Sequence, residues 1–162
     1  MATRFTDAQI VEFLSERKPL PADYLSRMAI AEKRGHREGE LEITGANGNR
    51  FLILVRQSDT NVLDFSAILG VVPKGSNQVF RLKRYNGKSH EHTNRIEKMS
   101  FYDFHIHTAT ERYQELGAKE EYYASPTDRY EDLEGAIACM VQDCAFEIQP
   151  TLQMNLFEGM TK

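Results

Sequence analysis

The sequence predicts a single α+β domain over residues 1–150, with N-terminal helices, an antiparallel β-meander, a C-terminal helix packed on the sheet and a short tail over 151–162. Two observations point to that class. The apolar period is helical before Gly35, close to two between Leu41 and Thr108, and helical again from Tyr130 to Cys144. The pairs Asn47-Gly48 and Asn86-Gly87 supply left-handed turns between strand-like runs, which favours hairpins over crossovers. With 162 residues, 41% of them hydrophobic, there is enough apolar material for one core and no reason to invoke two.

Each element has its own signal. Thr6 followed by Gln9 makes a capping box ahead of Ile10, Phe13 and Leu14, and Pro19 and Pro21 close that helix. A second helix is expected over 22–34, with Tyr24, Leu25 and Met28 on one stripe and Gly35 as its stop. Leu41 and Ile43 alternate with acids, and Phe51 to Val55 runs apolar as a buried strand. Further strands read at Val62 to Val72 and Val79 to Tyr85. A last strand, Phe101 to Thr108, sets Tyr102, Phe104, Ile106 and Thr108 on one face and Asp103, His105 and His107 on the other. Ser125, Pro126 and Asp128 then open a helix whose core stripe is Tyr130, Leu133, Ile137, Met140, Val141 and Cys144.

Composition narrows the function classes. The longest apolar run, Phe51 to Val55, is far below a bilayer span, and the N-terminus lacks a charged-then-apolar leader, so a soluble cytoplasmic protein with no membrane partner is expected. Cys139 and Cys144 read as reduced packing residues. The net charge of -4 is segregated: Arg81, Lys83, Arg84, Lys88, Arg95 and Lys98 face only Glu91 and Glu97, whereas the stretch from Glu111 to Glu147 is strongly acidic. Any nucleic-acid contact is therefore expected to be local to the basic island.

Four of the five histidines fall in His90-Glu91-His92 and His105-Ile106-His107. On extended chain each pair aims two imidazoles to one side. As a metal site, His105 and His107 would be joined by His92 or Glu111 around Zn, Mn or Fe(II). As an acid/base site, one neutral and one protonated imidazole would act on a phosphodiester, with Arg81, Lys83, Arg84 or Arg95 balancing its charge. As neither, they are partly exposed polar positions on a sheet face. His105, His107 and Glu111 also satisfy the start of the cupin metal motif, but its second half is missing and the C-terminal third reads helical.

Arg84-Tyr85 after a strand, His92-x-Asn94, His105-x-His107 and the aromatic-acidic stretch from Tyr130 to Phe146 resemble a family of small bacterial and prophage proteins, and more distantly the TumE-type toxins of toxin–antitoxin pairs. The resemblance implies one α+β domain in a mobile-element setting and a cognate antitoxin as partner. The tail segment Gln153-Met154-Asn155-Leu156-Phe157 resembles the QxxLF peptide that docks on the bacterial β sliding clamp. Leu156 and Phe157 would fill an apolar pocket, Gln153 would hydrogen-bond its rim, and Met154 would pack adaptively. The leading expectation is a clamp-docking inhibitor of DNA replication. A nuclease-type toxin or metal-dependent hydrolase acting through His105, His107, His92 and Arg84 comes second, and a non-enzymatic adaptor bound by an antitoxin third.

Overall fold

A computed structural model gives the fold and describes residues 3–150. The clamp-like segment, with Gln153, Met154, Leu156 and Phe157, lies outside the described residues. The chain is an α+β protein. Helix α1 (Asp7–Ser15) begins at the capping box, Thr6 accepting from the Gln9 amide and the Gln9 side chain closing on the Thr6 N–H. A short strand β1 (Lys18–Leu20) follows, then a single helical turn α2 (Tyr24–Arg27) and strand β2 (Ala31–Lys33). The long helix expected over 22–34 is thus not formed. Ala29 turns left-handed at φ 51°, and the residues beyond it satisfy their backbone against a neighbouring strand instead.

The meander is β3 (His36–Thr44), β4 (Arg50–Ser58), β5 (Phe65–Val72) and β6 (Phe80–Asn86), all antiparallel neighbours. Gly48, at φ 84°, makes the β3–β4 turn as its sequence implies. Asn86-Gly87, by contrast, makes no hairpin turn. Gly87 and Lys88 donate their N–H groups to Phe65 and Leu63 carbonyls, and a Cβ at Gly87 would collide with the Leu63 carbonyl, so glycine is required here by close approach.

The strand expected over 101–108 is two strands. β7 (His92–Asn94) and β8 (Met99–Phe101) form a separate hairpin, and β9 (His105–Thr108) joins the main sheet beside β6. After α3 (Glu111–Glu115), β10 (Ala124–Pro126) pairs with β9, giving the order β10-β9-β6-β5-β4-β3-β2. The last helix, α4 (Leu133–Asp143), starts later than Ser125 because Asp132, not Ser125, accepts from the helix's N-terminal amides. Tyr130 therefore precedes the helix, and its hydroxyl donates to the carbonyls of Asn86 and His105. β11 (Phe146–Ile148) closes the described chain as a parallel partner of β1.

One face of the sheet, with Phe51, Ile53, Phe65, Leu69, Leu82 and Tyr85, packs beneath α1 and α4 through Ile10, Ile137 and Met140. Each such fully buried large side chain is worth about 1.5–3 kcal/mol. Beside this core the Lys18 ammonium is wholly buried, donating to the carbonyls of Phe13, Leu14, Glu16 and Cys144 and so capping the ends of α1 and α4 at once. Cys139 and Cys144 are buried and free. Among the described residues no helix is long and apolar enough to cross a membrane.

Candidate metal centre

The opposite face of the sheet carries the histidines. The register pairs Asn86 with His105 and Arg84 with His107, so those four side chains share one face, while Tyr85 and Ile106 turn toward the helices. The face is not open. The β7–β8 hairpin folds across it and lowers His92 onto the pair, its ring 5.5 Å from that of His105 and 5.0 Å from that of His107. Exposure is 8% at His92, 0% at His105 and 7% at His107, which corrects the reading of His105 and His107 as partly exposed surface positions. The shielding comes from a hairpin at a different point of the chain, so the alternation within 101–108 has no means of registering it.

Each ring has one nitrogen against an oxygen acceptor. His105 Nδ1 lies 2.8 Å from the Asp103 carbonyl, His107 Nδ1 lies 3.2 Å from the Tyr122 carbonyl, and His92 Nε2 lies 2.8 Å from Asn94 Oδ1. Because every one of these partners is an oxygen acceptor, the nitrogen beside it carries the proton and the other is an acceptor, which at His105 and His107 faces the Asn86 amide at 3.4 Å. One donor atom from each of the three rings lies within 4.8 Å of the others. Bonds of about 2.0–2.1 Å to a tetrahedral cation place donor atoms roughly 3.3–3.4 Å apart, so the most distant rings would close by up to about 1.4 Å. Two backbone carbonyls and the Asn94 side-chain amide thus orient three imidazoles, the kind of outer partners that metal-ligating histidines ordinarily have.

Electrostatics favours the same reading. Burial lowers the pKa of all three rings: His92 below its usual value, against the pull of its Asn94 hydrogen bond; His105 to about 4, against its bond to Asp103; and His107 lower still, helped by the neighbouring His105 and Arg84. Near neutral pH the cluster therefore holds three neutral rings and no imidazolium to act as general acid.

Of the other residues expected at the site, Arg84 is beside it. Its guanidinium donates to Glu121, a wholly buried carboxylate, and its Nε has no hydrogen-bond partner among the described residues. Glu111 is not part of the cluster, which corrects its reading as a ligand. It opens α3 and is tied to the start of α1, its carboxylate accepting from the Asp7 N–H and its own N–H donating to Asp7. His90 is exposed, its ring 5.8 Å from that of His105 at the rim of the cluster. Arg95 stacks over the Tyr122 ring at 4.8 Å, and Arg81 approaches Glu121 at 3.8 Å, so part of the basic island is neutralised by the acidic segment that the linear sequence sets apart from it. The sequence marks Asn86 only as a turn residue, Asn94 only within the His92-x-Asn94 element and Asp103 only as a member of the histidine face, and it assigns no site role to them or to the Tyr122 carbonyl.

A cleft of about 520 Å³ lies elsewhere, between β2, β3 and β4, lined by Met28, Lys33, Glu38, Leu54 and Ile68. It holds no histidine.

The chain matches no protein-family model, no curated protein and no solved structure. Its chemistry is accordingly read from the site.

Proposed function

We propose that the chain is a metal-dependent hydrolase of phosphodiesters, with His92, His105 and His107 holding one divalent cation. The observation that carries the reading is three buried imidazoles, each with one nitrogen against an oxygen acceptor, whose candidate donor atoms lie within 4.8 Å of one another. Zn, Mn and Fe(II) accept such a set. A cation there supplies Lewis acidity toward a phosphoryl oxygen and toward water. The protein's own residues do the rest. Arg84, held by Glu121 and with its Nε unpaired among the described residues, would take a non-bridging phosphate oxygen, and Arg95, stacked on the Tyr122 ring that lies 5.3 Å from that of His92, belongs to the basic stretch that would draw a polyanion to the centre.

The test is metal content and phosphodiester cleavage on the full chain. Stoichiometric metal and cleavage of single-stranded nucleic acid that EDTA abolishes are expected. His107→Ala should lose both, whereas Arg84→Ala should keep the metal and lose turnover. Metal-loaded protein that leaves every phosphodiester intact would refute the hydrolase reading.

We also propose a second, separable role for the Gln153-Met154-Asn155-Leu156-Phe157 segment, docking on the bacterial β sliding clamp, because the sequence supplies all three anchors of that peptide pattern. The clamp-bound protein would act on, or obstruct, replicating DNA in the bacterial cytoplasm, as a toxin held in check by an antitoxin.

A further inference from the structure

We infer that Asn86 is a fourth protein ligand of the histidine centre, binding the cation through Oδ1 once its side-chain amide has turned over; the inference rests on the metal reading above. Asn86 ends β6, is 6% exposed, and stands directly across from His105 on the histidine face. Its Nδ2 lies 3.4 Å from His105 Nε2 and 3.4 Å from His107 Nε2. That position has two properties. It is longer than a good hydrogen bond to either ring, so the amide is a poorly satisfied donor there. It is also equidistant from the two nitrogens, at the roughly 3.3–3.4 Å that separates donor atoms on a cation with bonds of about 2.0–2.1 Å. The terminal atom of Asn86 thus already stands at ligand-to-ligand spacing from two of the three rings.

At present that atom is nitrogen, and the hydrogen bonding says why. Without a cation the two Nε2 lone pairs need donors, and the amide NH2 is the group that faces them. With a cation those lone pairs are consumed, and an NH2 group would point its hydrogens at a positive charge. Rotation of the amide by half a turn exchanges oxygen for nitrogen at almost no cost in shape. The outer side of the amide tolerates either orientation, because its partner is the Ser66 hydroxyl, 2.8 Å from Oδ1, which donates to an oxygen or accepts from an NH2. The backbone need not move, since the Asn86 carbonyl is pinned by the Tyr130 hydroxyl at 2.7 Å.

The resulting set is three imidazole nitrogens and one neutral amide oxygen, which suits Zn, Mn or Fe(II) over softer ions. A tetrahedral cation held by all four is closed, so substrate would bind by raising the coordination number to five.

Titration of the metal-stripped full chain with Co2+, followed by its visible absorption, tests the assignment. Asn86→Ala should weaken binding by about tenfold or more and shift the absorption bands. Asn86→Asp, which keeps the shape and decides the matter if the alanine variant does not fold, should bind more tightly than the native chain, again with shifted bands. Equal affinity and unchanged bands in either folded variant, in a chain whose Co2+ binding is lost on His107→Ala, would overturn the Asn86 assignment and leave the three-histidine centre standing. Failure of the native chain to bind Co2+ would remove both.

Discussion

His107 illustrates how burial and hydrogen bonding decide what a residue does. It is enclosed by two other imidazoles, bonded to the Tyr122 carbonyl, and has Arg84 across the strand pair, so its protonated form is disfavoured from several sides. The consequence for stability follows from linkage. His105 and His107 have pKa values below that of an unfolded histidine, about 6.5, so the unfolded chain binds more protons once the pH falls under that value. Their stabilising contribution is full above about pH 6.5 and is lost on acidification toward the folded value of about 4 at His105. Metal-free protein should therefore lose about 1.4 kcal/mol per pH unit for each buried histidine over that window, measured by urea denaturation at stepped pH. His107→Gln should reduce the slope by about one proton's worth. That His105 and His107 share a face is legible in the sequence, because a strand alternates with period two. Their burial is not, because it depends on a hairpin contributed from residues 92–101. Glu111 was misplaced for a related reason: its spacing from His107 is right for a ligand, but the chain turns into α3 and gives the carboxylate to α1.

At the scale of elements, the β7–β8 hairpin is tied to α3 at its turn, through Tyr113 with Ile96 and Glu97 and through Arg112 with Glu97, and to β10 through one amide. Asn94 accepts from the Ala124 N–H at 2.9 Å and donates to the Ala124 carbonyl at 2.7 Å, so its side chain pairs with β10 much as a strand backbone would. The same Oδ1 receives His92. Asn94→Ala leaves the Ala124 N–H and C=O buried without those partners and should cost about 1–3 kcal/mol, read in the denaturation midpoint. It should also speed amide exchange in residues 92–101 and weaken metal binding, since His92 loses its orienting partner. Wild-type exchange in that hairpin and undiminished metal affinity would show that Asn94 does not seat it. The sequence made β3, β4, β5 and β6 legible through alternation and turn chemistry. It misread 22–34, where a helical stripe yields to β2 pairing with β3, and it missed β1 and β11, whose parallel pairing joins opposite ends of the described chain. Contacts of that sequence separation leave no local period.

Over the whole molecule, the histidine centre and the C-terminal segment occupy different parts of the chain, and their proposed roles should separate accordingly. Leu156→Ala with Phe157→Ala should remove most affinity for purified sliding clamp, at about 2 kcal/mol or more per anchor, while leaving metal content and thermal stability unchanged. Clamp binding that survives the double substitution would refute the docking role, and a large fall in melting temperature would place both side chains in the core. The α+β class was readable because periodicity and composition are properties of whole segments. The centre was only half readable, because its three rings come from β7 and β9 and are oriented by acceptors at Asn94, Asp103 and Tyr122 that no motif spells out. X-ray absorption at the zinc edge of the full chain, loaded with one equivalent of Zn2+, tests the central claim most directly. Three imidazole shells with Zn–N distances of about 2.0–2.1 Å are the predicted result; a spectrum with no imidazole scattering, or with a single imidazole and otherwise solvent oxygen, would contradict the three-histidine centre.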